Sequence, residues 1–193
     1  MTGTTMIDLG PQARIVAALA ERVTDEQLAA VTPCPAYAVR HLLGHVAGLS
    51  VAFRDAARKD LGATTATPPG TVTPDIGPGW RAELPKALDE LAEAWRDPSA
   101  WSGTTRAGGV GLPGQVAAAV AADELVVHGW DLARATGLAY VPDPAALAAA
   151  YGFLQMAAQG GRGPFGPVVP VPETAPLLDR TVGLSGRDPG WTP

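Results

Sequence analysis

A chain of 193 residues suits one domain, and a hydrophobic content of 47% is enough to build a sizeable core. Its net charge of −5 comes from 14 basic and 19 acidic residues, and no Lys/Arg block stands out, so no nucleic-acid partner is expected. The single cysteine, Cys34, excludes an internal disulfide and fits a reducing compartment.

The opening MTGTTMIDLG has neither a basic nor an apolar signal region, so no signal peptide is predicted. A first helix is expected from near Asp8, with Pro11 in its opening turn and Ile15, Val16, Leu19 and Val23 at helical spacing. Thr24 to Gln27 matches a capping box and restarts a short piece that runs to Ala30. TPCPAY, residues 32–37, breaks the helix. From Ala38 a long helix follows, with Val39, Leu42, Leu43, Val46, Leu49 and Phe53 on its apolar side, ending near Lys59 and Asp60.

Residues 61–79 are rich in Pro and Gly and read as a flexible connection. Leu84, Leu88, Leu91 and Trp95 mark another helix, stopped by Asp97-Pro98. GTTRAGGVGLPG, residues 103–114, reads as loop, with at most a short extended piece around Val110. Pro113 opens the helix that carries ADELVVHGWDLARAT, and Gly137 closes it. Asp143-Pro144 starts a further helix, expected to end at Gly160-Gly161 and too weakly apolar to span a membrane. An apolar run from Ala175 to Leu184 is read as a small docking helix.

No repeat and no strand ladder is evident. The pattern predicts an all-α helical bundle over 1–161 with a long crossover loop, followed by a Pro/Gly-rich C-terminal extension, 162–193, packing on it. A soluble, cytoplasmic chain with no membrane partner is the expectation.

Glu124 and His128 are four residues apart, so they share a helix face, about 40° apart around the axis. Val116, Val120 and Val127 fall on the same stripe, which is expected to face the bundle interior. A lone carboxylate there must be paired, protonated or metal-bound. His41 and His45 form a second i,i+4 pair on a second apolar helix, and these pairs contain all three histidines of the chain. Two imidazoles and a carboxylate suit Zn²⁺, Ni²⁺ or Fe²⁺, with an open position for water or substrate. The alternatives are a non-catalytic module that binds a small molecule and a plain helical domain in which Glu124 pairs with His45 or His41.

TPCPAYAVRHLLGHVAG and ELVVHGWDLARATG resemble the two signature stretches of the mycothiol-dependent maleylpyruvate isomerase N-terminal-like proteins, of the DinB/YfiT-like metal-binding superfamily. The tail GPFGPVVPVPETAPLLDRTVGLSGRDPGWTP, 163–193, is similar to the ending of one subgroup. The resemblance implies a DinB-like four-helix bundle holding a divalent metal, zinc in characterised relatives. It places the ligands on His45, which follows LL and one further residue, and on Glu124 and His128. It also implies a small-molecule substrate and a low-molecular-weight thiol, mycothiol in the isomerase, activated for transfer or isomerisation. His41 stands where the family commonly has Asp, and is weighed as a second-layer partner, a fourth ligand or a capping residue. The isomerase adds a C-terminal domain to its active site that the residues after the last bundle helix are too few to supply. The thiol transferase or isomerase class is therefore expected, rather than maleylpyruvate isomerisation specifically.

Asp131, three residues after His128, is placed to accept its second ring proton, an exposed Asp being the plainer alternative. Arg134 and Tyr37 are weighed as substrate-binding residues against a solvated Arg and a core or wall Tyr; Trp130 is read as core or pocket wall. Cys34, near a helix N-terminus that lowers a thiol pKa, is read as a buried structural thiol. Arg162, Phe165 and the tail are read as covering the open end of the bundle, and a homodimer is among the expected states.

Overall fold

A computed structural model describes residues 6–68, 70–71, 73–159, 162–163 and 166–193. Helices α1 (Gly10–Glu21), α2 (Val39–Arg58), α4 (Trp80–Ala94) and α5 (Gly114–Thr136) form the bundle, with a four-residue helix α3 (Ala63–Ala66) in the crossover. α1 and α2 each pack against both α4 and α5, which closes a four-membered ring. Two further helices, α6 (Pro144–Ala157) and α7 (Leu177–Leu184), are layered outside, α6 on α5 and α7 on α6. The fold is a mainly α-helical bundle, and no described helix is long and apolar enough to cross a membrane.

The start and stop signals act as their chemistry requires. Asp8 accepts the Gly10 N–H at 2.8 Å just ahead of α1. The Gln27 side chain accepts the Thr24 N–H at 3.0 Å, opening a 3-10 turn over Asp25–Ala29. α2 ends on Lys59 in the left-handed conformation, α5 on Gly137, and α6 begins with Asp143 accepting two backbone N–H groups. α6 ends at Ala157; the expected stop at Gly160-Gly161 lies outside the described residues.

Residues 103–114 are not loop. They form a hairpin, β1 (Thr104–Ala107) against β2 (Val110–Pro113), with Ala107 opposite Val110. The two-residue turn is Gly108-Gly109, both at positive φ (57° and 80°), the geometry that a tight hairpin with right-handed strand twist demands. The hairpin is tied to the bundle by the buried Thr105, whose hydroxyl donates to the Ala56 carbonyl at 2.6 Å. The Gly109 N–H donates to Thr65 of α3 at 2.9 Å, so the crossover is anchored rather than free over this part.

Two contacts fix what surrounds the bundle's polar end. Gln12 on α1 is fully buried; its amide donates to Leu125 O and Tyr140 Oη and accepts from Asp143 N. The Tyr140 hydroxyl in turn donates to Val126 O at 2.8 Å. On α2, Gly44 lets the crossover backbone at Asp75 approach so closely that a Cβ there would sit 2.6–2.8 Å from it. Arg40 holds the same segment through a 2.8 Å ion pair with Asp75. Gly44→Ala is therefore expected to lift the crossover from α2 and cost about 1–3 kcal/mol, readable in urea unfolding. An unchanged midpoint would show that the segment carries no weight there.

Candidate metal centre

α2 and α5 pack side by side, and this contact brings His45 to the Glu124–His128 pair. His45 sits between fully buried leucines and Val46 but is itself half-buried, at the edge where the α2 apolar stripe meets solvent. Its Nε2 lies 3.4 Å from Glu124 Oε2, and the same oxygen lies 3.1 Å from His128 Nε2. The two imidazole rings meet edge to face at 4.8 Å. All three ligand-capable atoms fall within 4.8 Å of one another. Side-chain exposure runs from 24% at His45 through 15% at Glu124 to 2% at His128, so the cluster opens on the α2 side.

The predicted interior stripe of α5 holds only in its C-terminal part, where Val127 and His128 are buried. Ala117, Ala118, Ala121, Ala122 and Leu125 are fully buried, whereas Val116, Val120 and Glu124 are half-buried. The alanines win the interior because three helices, α1, α2 and α6, crowd α5 and small side chains admit the closest approach. The fully buried carboxylate left without a hydrogen-bond partner among the described residues is consequently Asp123, not Glu124. Asp123 is 0% exposed, and neither of its oxygens has a hydrogen-bond partner among the described residues.

Behind the cluster, His128 Nδ1 is 2.9 Å from Asp131 Oδ2, the contact expected of a carboxylate that fixes a ring tautomer. Asp131 is fully buried and also receives Arg187 from the C-terminal segment, at 3.0 Å and 3.3 Å. Arg187 was not legible as a site residue, being 56 positions away in sequence. Burial opposes charge on both members of the α5 pair and loses in both cases. Hydrogen bonds from His128 and His45 hold the Glu124 carboxyl well below the usual carboxylate range. Hydrogen bonds to Asp131 and Glu124 push His128 up to about 9.

The other predicted residues divide. His41 is not among the clustered ligand atoms; its Nδ1 accepts the Ala38 N–H at 3.3 Å and caps α2, the third of the roles weighed for it. The Arg134 guanidinium donates to the Trp191 carbonyl and lies 5.8 Å from the Trp130 ring centroid. Tyr37 flanks the opening, its ring centroid 5.4 Å from that of His45. Cys34 is half-buried rather than buried, and burial together with Asp131 and Glu124 pushes its thiol up against the pull of Arg187. That outcome reverses the lowering expected from the nearby helix start, and it puts Cys34 within electrostatic reach of the cluster. Thr32 fixes this loop, accepting from Cys34 N at 3.1 Å and donating to Tyr37 O at 2.8 Å. Phe165 and the Arg162 side chain lie outside the described residues.

Asp123 has a measurable consequence. Burial, with the Glu124 charge adding, pushes its carboxyl well above 3.8, and His128 and Arg187 offset this only in part. The folded chain keeps a proton that the unfolded chain releases above that value, so Asp123 subtracts stability as pH rises. Asp123→Asn is expected to raise stability at about pH 7 by roughly 1 kcal/mol or more, a gain that vanishes near pH 4. Urea unfolding at both pH values measures it, and an effect of equal size at both would contradict the buried proton.

A family model, mycothiol maleylpyruvate isomerase N-terminal domain, matches residues 9–133. Two uncharacterized proteins, from two strains of Mycobacterium tuberculosis, are each 29% identical to the chain over 176 residues, covering 89% of it and 91% of their own length. A solved structure of a mycothiol-dependent maleylpyruvate isomerase variant is similar at a TM-score of 0.48 and 19% identity, over 78% of this chain and 70% of that one. The matched segment spans α1 through most of α5 and includes His45, Glu124, His128 and Asp131. The chain belongs to the mycothiol maleylpyruvate isomerase N-terminal domain family.

Proposed function

We propose that this protein is a divalent-metal-dependent enzyme of the thiol transferase or isomerase class, with mycothiol or a similar small thiol as co-substrate. The observation that carries this reading is the convergence of three ligand atoms within 4.8 Å, two from one turn of α5 and one from α2. His45, Glu124 and His128 would hold the ion, and two imidazoles with one carboxylate fit zinc first, then nickel or iron. A bound ion of this kind lowers the pKa of a thiol or water on it to near neutrality and so supplies a nucleophile. The family name, mycothiol maleylpyruvate isomerase N-terminal domain, supports mycothiol as that thiol.

The chain's own residues complete the arrangement. Asp131, accepting a hydrogen bond from His128 Nδ1, would leave Nε2 to the ion, which has to displace the second ring proton that Glu124 favours in its absence. Glu124, its carboxyl held low by His128 and His45, brings a negative charge to the shared point, which would offset part of a dication's charge in a half-buried place. Tyr37 walls the opening beside His45. His41 is committed to capping α2, so three side chains rather than four converge there among the described residues. Three ligands and an exposed edge support an open coordination position, which favours catalysis over a closed structural site or a non-catalytic module.

The purified protein is expected to carry close to one equivalent of zinc or a similar ion, and His128→Ala less than about a third. Chelation should lower the wild-type melting temperature and leave that of His128→Ala unmoved. With cobalt as the metal, added mycothiol should produce a sulfur-to-metal absorption band. A wild-type chain that takes up no metal, and whose melting temperature ignores both chelator and zinc, would overturn the reading.

A further inference from the structure

The segment that delivers Arg187 lies beyond the residues matched by the family model, yet it is built with care. Val169 N donates to Gly183 O at 2.9 Å, and a Cβ at Gly183 would meet Val171 at 2.4 Å, so the strand-like run 169–171 lies flush against α7. Ser185 closes α7 by bonding back to Val182, and Gly186, at φ 84°, turns the chain. The turn leaves Arg187 5% exposed, its Nη1 donating to Ser185 O at 3.0 Å. The remaining donors grip Asp131 at two points, Nε to Oδ1 at 3.3 Å and Nη2 to Oδ2 at 3.0 Å. Oδ2 is the oxygen that also faces His128 Nδ1. In return, α5 reaches the segment through Arg134, which donates to Trp191 O. Two arginines thus cross between α5 and the C-terminal segment in opposite directions, and one of them ends on the carboxylate behind the metal-facing histidine.

We propose that Arg187 is a positioning residue of the metal centre: by holding both oxygens of Asp131 it fixes the carboxylate that orients His128, so docking of the C-terminal segment and assembly of the ligand set are one event. The inference rests on the metal reading above. The physical reason is that a buried carboxylate with a single partner is free to rotate about its terminal torsion, and a two-point guanidinium removes that freedom. Lysine, a point donor, holds one oxygen at a time and restores the charge without the orientation.

The test compares Arg187→Met, Arg187→Lys and Arg134→Met in the full chain, reading zinc affinity by chelator competition, the visible spectrum of the cobalt form, and melting temperature. Arg134→Met loosens the same segment without touching Asp131. Arg187→Met is expected to weaken zinc about 10–100-fold and alter the cobalt spectrum, Arg187→Lys to fall between it and the wild type, and Arg134→Met to stay within about threefold. Combining Arg187→Met with Asp131→Asn should weaken zinc by less than the product of the single effects, since both act through one contact. Equal loss in Arg187→Met and Arg134→Met would overturn the inference, leaving segment docking in general as the cause. If Arg187→Met does not fold, Arg187→Lys decides: about a threefold or greater loss of zinc affinity supports the positioning role, and wild-type affinity overturns it. A wild-type chain that binds no zinc removes the metal reading and this inference together, whereas a zinc-binding wild type with unaffected Arg187 variants removes the inference alone.

Discussion

One carboxylate oxygen between two imidazoles organises this molecule. Glu124 Oε2 lies within 3.4 Å of His45 and 3.1 Å of His128, and the rings come from helices that are distant in sequence. That placement needs α2 and α5 in contact, and the contact needs the small-residue stripe of α5 and the leucine-rich face of α2. The core and the polar cluster are therefore one packing problem. The apolar faces set the distance between the helices, and the half-buried edge is where polar groups can meet without full loss of solvent.

Much of this was legible in the chain itself. Only three histidines exist, and their i,i+4 placement on two apolar helices left few ways to bring them together. The helix boundaries followed from local signals with direct physical causes, such as Asp143 ahead of Pro144 and Gly137 in the left-handed region. Which face of α5 points inward was not legible, because Asp123 and Glu124 differ by a rotation of about 100° and the surrounding residues are apolar on every side. The packing of α1, α2 and α6 decided it, and that is long-range information.

The hairpin and Arg187 were missed for different reasons. Gly108-Gly109 is a recognisable tight-turn signal, but its strands are four residues each with no alternating apolar face, so periodicity could not reveal them. Arg187 carried no local signal at all. An arginine in a Pro/Gly-rich tail reads as solvated, and only the path of the chain over α6 brings it to Asp131. His41 illustrates the reverse case: a residue with a suggestive pattern that satisfies a helix terminus instead.

The Gln12–Tyr140 network carries a consequence for the Glu124–His128 pair. It takes up the carbonyls of Leu125 and Val126, the residues that directly follow Glu124 and lead to His128. The turn of α5 between the two is thus gripped from its rear by α1 and by the link to α6, and it cannot unwind or slide independently of the core. The conformational entropy of aligning Glu124 with His128 is lost when the chain folds, so little remains to be lost on binding. As the proposed ligands of an ion, a pair stiffened in this way would discriminate by fit: an ion whose preferred bond lengths match the fixed spacing would be favoured over one that requires the helix to yield.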